Sequence, residues 1–259
     1  MRRNNQSSVL AFALGIVLIG CLIQAAGWMR NDRLVFPPVT QILRAFFRLL
    51  RTPHTYKLIF TSLKHLLAAM AVSTVIGIVI GLAEGFSDFI RMLLKPLMVL
   101  LRSIPMIVLV VIIMVITRYD RVPLIGTSLI LIPMISEAAC EGCRSIDPEL
   151  IDVYRMHSSF TPQVLFSVYF PMMAGYLKQA YINAVGSGVK LIVSMEYLVQ
   201  TRDSLGKAIY GSAYFNEYQD IYAYALIMIL LVIMVSEVPL LLSRLSAKRA
   251  ARRSADSAG

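Results

Sequence analysis

The 259-residue chain is 58% hydrophobic and 15% charged, with a mean hydropathy of +0.70, which excludes an ordinary soluble globular domain. The formal net charge of +10 does not point to nucleic acid, because the cations are scattered over connections and form no stripe interleaved with aromatics. The expected fold is all-α and polytopic, a membrane protein with about six transmembrane helices, each needing about 20 apolar residues.

Residues 1–8 carry Arg2 and Arg3 and read as a cytoplasmic amino terminus. A membrane domain at 9–242 follows, with apolar runs at 9–28, 66–83, 97–117, 122–135, 180–200 and 221–242, the fourth being the shortest. The first run is read as a retained span, although Gln24, Ala25, Ala26 and Gly27 resemble a cleavage site. Segment 30–57 is expected outside the cell. Within it, Thr40 to Leu50 has the pattern of an amphipathic helix lying at the interface with its arginines among headgroups. Cation counting does not settle the orientation, since this outer segment is itself rich in arginine. The basic tail 243–259, with Arg244, Lys248, Arg249, Arg252 and Arg253, reads as cytoplasmic, so both termini share one side.

The loop 137–171 is the least greasy part of the middle of the chain. Asp147 precedes Pro148, and Thr161 precedes Pro162. Each pair is a helix start, because a cap accepts a free N–H and a proline at the first position has none to lose. Two short helices in one cytoplasmic loop suit presentation to a partner. On the first, Leu150, Tyr154 and His157 share one face. The competing reading is an amphipathic helix resting on lipid headgroups. A second outer loop is expected at 201–220.

Within the spans, ionisable groups mark cavities or partners, because burying a charge at bilayer depth costs a few kcal/mol. Arg102, Lys190 and Glu196 are the candidates. Lys190 and Glu196 lie about 240° apart around a helix and so do not pair. Lys190 has two open readings, a cation lining a path for an anionic cargo or a lysine snorkelling to an interface. Gly186 and Gly188 permit close helix contact or form a hinge, and Pro105, just after Arg102, is expected to break a helix.

Chemistry on the chain itself is not expected. Cys140 and Cys143 form a C-x-x-C without a preceding strand or a second ligand pair, and His54, His65 and His157 suggest no metal set. Catalytic and nucleotide-binding motifs are absent, so any nucleotide chemistry belongs to another chain. An ion-gradient-driven transporter is a rival reading, but it would call for inverted repeats and deep acids beyond Glu196. A membrane thiol oxidoreductase built on the two cysteines is another.

Several blocks resemble a known family. ABC importer permeases carry a cytoplasmic E-A-A motif followed by three residues, glycine, nine residues and I-x-L-P. Here Asp152, Val153 and Tyr154 stand for E-A-A, Ser158 for the glycine, Val168 for the isoleucine, Phe170 for the leucine and Pro171 for the proline. The spacing holds while only the proline is retained. The literal Glu137-Ala138-Ala139 is out of register with it.

FPPVTQILRAFFRLL, the second span with Gly77 and Gly81, LKPLMVLLRSIP, EGCRSIDPELIDVYR and SMEYLVQTRDSLGKAIY resemble, in order, blocks of the nitrate, sulfonate and taurine branch. The resemblance implies a permease subunit that works as a homodimer in the bacterial inner membrane. Its expected partners are a cytoplasmic ATP-binding cassette ATPase dimer and an extracytoplasmic solute-binding protein. Glu149, Leu150, Asp152, Val153, Tyr154, Arg155, His157, Ser158 and Pro171 would couple it to the ATPase; of the path candidates Arg102, Pro105, Gly186, Lys190 and Glu196, Glu196 matches the family's glutamate near the outer end of the fifth span, whereas Lys190 stands where the family usually has an aromatic residue. It implies no cofactor, no metal and no covalent step.

Overall fold

The computed structural model describes residues 15, 37–146, 166 and 169–235. The described chain is helical throughout, as its composition demands, since a backbone in hydrocarbon must bond to itself. Helix α1 is Val39–Arg51, α2 Pro53–Phe86, α3 Asp88–Ser103, α4 Met106–Ile116, α5 Val122–Arg144, α6 Phe170–Val199 and α7 Leu205–Tyr214. The last, α8, is Tyr218–Val235.

Four of these, α2, α5, α6 and α8, are long and apolar enough to cross a membrane. The bent pair α3 and α4 makes five if it is taken as one broken span. The expected first span at 9–28 lies outside the described residues, apart from Gly15. The coupling loop residues Glu149, Leu150, Asp152, Val153, Tyr154, Arg155, His157 and Ser158 lie outside them too.

A three-helix core carries the domain. Helices α2 and α5 run parallel, because a glycine stripe on α2 meets successively later residues of α5. A Cβ on Gly77 would lie 2.9 Å from Ile135 Cβ, one on Gly81 2.5 Å from Ala139 Cβ, and one on Gly85 2.7 Å from Cys143 Sγ. No side chain fits there, so the two backbones approach as small-residue seams allow. Hydroxyls bridge the same seam: Ser73 Oγ donates to Ser128 O at 3.2 Å and Ser128 Oγ to Ala69 O at 3.3 Å. Cys140 and Cys143 are both buried, with free thiols, and Cys143 packs against Gly85.

Helix α6 runs antiparallel to both. Gly142 faces Met173 near one end and Gly126 faces Met195 near the other, while Tyr181 donates to Thr74 Oγ1 at 2.9 Å midway along α2. The ends therefore sort into two groups. Phe86 stacks edge-on against Tyr169 at 5.0 Å and Arg144 Nη1 donates to Asp88 at 2.6 Å, which gathers the ends of α2, α5 and α6. At the opposite end Lys57 donates to Asp203 at 2.7 Å. That ammonium holds the Asp203 carboxyl below its ordinary range.

Three expectations need revision or refinement. The run 97–117 is not one straight span: α3 and α4 are bent by 104° at Ile104–Pro105. Pro105 has no N–H to continue α3, and its fixed φ of −59° starts a new helix instead. The fourth run, read as short, is a 23-residue helix and the most enclosed span. Glu137, Glu141 and Arg144 made its second half read as polar, yet Glu137 and Arg144 are ion-paired across to α3. The interfacial helix expected at 40–50 forms as α1. It buries Ile42, Ala45 and Leu49 against the protein, with Arg48 paired to Asp220 at the start of α8.

Candidate functional site

The candidate path residues fall into three places. Glu196, near the end of α6, is fully buried. Its Oε2 accepts from Ser62 Oγ at 2.6 Å, and its Oε1 lies 2.8 Å from His65 Nδ1. The N–H of Gly206, in the first turn of α7, donates to the same carboxylate at 3.4 Å. Ser62 Oγ also accepts from Leu205 N–H at 3.0 Å, so the carboxylate and its hydroxyl partner satisfy two of the free amides at the start of α7. Ser204 caps the same helix by accepting from Lys207 N–H. Glu196 thus joins α2, α6 and α7, and α7 can lie this close only because residue 206 is glycine: a Cβ there would sit 2.5 Å from Val193 O.

Arg102 is at the end of α3, one helix away. Its Nη2 donates to Glu137 Oε2 at 2.5 Å and to Pro133 O at 3.2 Å. With Glu84, Asp88, Arg91, Lys95 and Glu141 it lines a charged cleft of about 480 Å³ between α3 and α5. Glu84 is buried there and accepts from Ser136 Oγ at 3.1 Å. Since Asp88 pairs with the last residue of α5 while Arg102 reaches Glu137 and Pro133, α3 climbs only about 10 to 16 Å along α5 by helical rise. It therefore lies obliquely. The Arg102–Glu137 pair is half exposed, so Arg102→Glu with Glu137→Arg is expected to stay within about 1 kcal/mol of the native protein in detergent thermal melts. Either single change should be worse than the swap.

Gly186 and Lys190 lie together in the third place, a groove of about 800 Å³ between α6 and α8. Phe170 and Pro171, the coupling-motif residues that fall in the described chain, occupy the first turn of α6, and Pro171 is exposed. Tyr169, just before the helix, also has helical backbone angles, φ −65° and ψ −49°. Sequence reasoning missed Ser62 and His65 as partners of Glu196. Nothing local signals a pairing across 131 to 134 positions, and a lone histidine with no ligand set draws no notice. No cluster of His, Cys, Asp and Glu able to hold a metal occurs among the described residues.

Residues 73–252 match the family described as binding-protein-dependent transport system inner membrane component. The chain belongs to that family. As one of its members it is a multi-pass permease component of an importer, a transport subunit and not an enzyme. Among solved structures it is similar to a chain reported under "Inward facing conformations of the MetNI methionine ABC transporter", with a TM-score of 0.58 and 20% identity over 74% of this chain and 97% of that one. That likeness is one of fold, the type I ABC permease arrangement of helices. No curated protein matches the sequence.

Proposed function

We propose that this permease belongs to an ATP-driven importer of the nitrate, sulfonate and taurine type and moves a small anionic or polar solute inward. It works as a homodimer in a bacterial inner membrane with both termini in the cytoplasm. Two separate ATPase subunits grip the connection between α5 and α6, shorter than the loop expected at 137–171 because α5 runs on to Arg144 and α6 starts at Phe170, through Glu149, Leu150, Asp152, Val153, Tyr154, Arg155, His157 and Ser158, with Pro171 in the first turn of α6 at its end. An outer solute-binding protein delivers cargo to segments 30–57 and 201–220. ATP binding closes the motor dimer, swings the two loops, and exchanges outward-facing for inward-facing arrangements. No bond is made or broken in this chain.

The observation that carries the reading is the pairing of the helix ends on either side of residues 147–168. Arg144–Asp88 ties the end of α5 to α3, and Phe86–Tyr169 ties the end of α2 to the residue that precedes α6. A push on a loop clamped at both ends is passed to the core as a rigid-body motion, because a close-packed interior transmits strain. The path follows the open side of α6, past Gly186 and Lys190, while Arg102 and the Pro105 elbow flank the charged cleft nearer the loop.

Deleting Leu150–Ser159 is expected to abolish recovery of an ATPase with the tagged permease from solubilised membranes, while the permease itself still purifies as a folded protein. Undiminished ATPase recovery and transport by that deletion would refute the proposal.

A further inference from the structure

The groove between α6 and α8 has a lopsided chemistry. Gln179, Asn183, Ser187 and Lys190 follow one another at helical spacing on α6, and Gln179 Nε2 donates to Asn183 Oδ1 at 3.4 Å. The opposite face of α6, with Ala184, Gly188 and Ile192, is buried in the core. Across the groove stand apolar residues such as Met228 of α8. Its floor is open at Gly186, where an added Cβ would meet nothing within 4 Å.

Lys190 has no carboxylate partner among the described residues, and no acid lines the groove. The buried acids elsewhere are already engaged: Glu84 by Ser136, Glu196 by Ser62 and His65, Asp220 by Arg48. An unpaired ammonium within a span is costly and needs a water-filled cavity or an opposite charge. The polar groups that line the groove beside it, the Asn183 amide N–H, whose Oδ1 already accepts from Gln179, and the Ser187 hydroxyl, are donors as well. Ammonium, amide N–H and hydroxyl together suit a ligand that only accepts hydrogen bonds and carries negative charge.

We propose that Lys190, Asn183 and Ser187 form a binding site for a small oxyanion on the path through the permease. The site rests on the importer reading and names the cargo class at one place on the path. A single cation with two neutral donors holds an anion without trapping it, which a path requires because cargo must leave as readily as it enters.

The test places a cysteine at the open floor, Gly186→Cys, in the complete importer in membranes. Two water-soluble thiosulfonate reagents of similar size and opposite charge are compared, with the parent protein as the background control for its own cysteines. With Lys190 present, the preference for the anionic over the cationic reagent is expected to be roughly tenfold higher than after adding Lys190→Gln, the effect of one nearby unit charge in a partly aqueous site. Lys190→Arg should retain it. Millimolar nitrate or methanesulfonate should slow labelling with Lys190 present and not with Lys190→Gln.

Failure of both reagents to label would place the groove against lipid, where Lys190 serves a lipid phosphate instead, and would overturn the site. So would a reagent preference unchanged by Lys190→Gln. Recovery of the ATPase from the same preparation is scored separately, so loss of the site leaves the importer reading standing and loss of the ATPase does not imitate it.

Discussion

Gly81→Ala is expected to destabilise the permease by about 3 kcal/mol or more, toward the upper end of what overpacking a core does. Local preference points the other way, since alanine in a helix interior is favoured over glycine by about 1 kcal/mol. The seam decides the sign. The new methyl would lie 2.5 Å from Ala139 Cβ and closer still to the Ser136 carbonyl oxygen, and neither a helix backbone nor an alanine methyl can swing aside. Gly175→Ala is the matched control, because a Cβ there meets nothing within 4 Å. Thermal unfolding of the detergent-solubilised protein should show Gly81→Ala lost or far below native and Gly175→Ala at or slightly above it. Equal melting of the two variants would mean that α2 and α5 do not approach as described.

The second large effect is expected at Glu196. Glu196→Ala leaves the Ser62 hydroxyl, His65 Nδ1 and the Gly206 amide without their acceptor around a carboxylate that has no solvent exposure. Removing one partner of such a buried, charge-assisted cluster costs about 3 to 5 kcal/mol. Glu196→Gln keeps the size and one carbonyl acceptor and should cost less than half of that. Melting in detergent, together with proteolysis of the connection 201–204 that α7 pins down, separates two roles for this carboxylate. A role confined to cargo would reduce transport with the melt unchanged, whereas the observed setting requires the melt to fall and the connection to become cleavable.

Much of the fold was legible because the membrane imposes one simple code. The apolar runs at 66–83 and 180–200 fall in the later parts of α2 and α6, the described part of the run at 221–242 lies in α8, and the alternating arginines and apolar residues of 40–50 become α1. The charged half of α5 resisted the same code. Glu137 and Arg144 look like loop residues until α3, some 35 to 56 positions away, supplies Arg102 and Asp88. A hydropathy window cannot see such compensation. The break at Pro105 was readable from proline chemistry, but its angle was not, because the direction of α4 depends on packing against Gly126 and Met195.

The site was legible unevenly. Lys190 and Gly186 could be singled out as residues out of keeping with a greasy helix, and they share a groove. Glu196 drew notice for the same reason, yet it is enclosed by partners on two other helices, so a charge within a span by itself does not tell a conduit from a rivet. Glu137, set aside as out of register with the coupling motif, holds Arg102 and thereby the oblique course of α3.

The elbow at Ile104–Pro105 has an environmental consequence. Helix α4 begins there with amides of Met106, Ile107 and Val108 that no preceding turn can accept, at a height where Arg102 already meets the middle of α5. Oil offers such groups nothing, so acyl chains are shut out from this corner, and either solvent or a neighbouring polypeptide must wet or shield it.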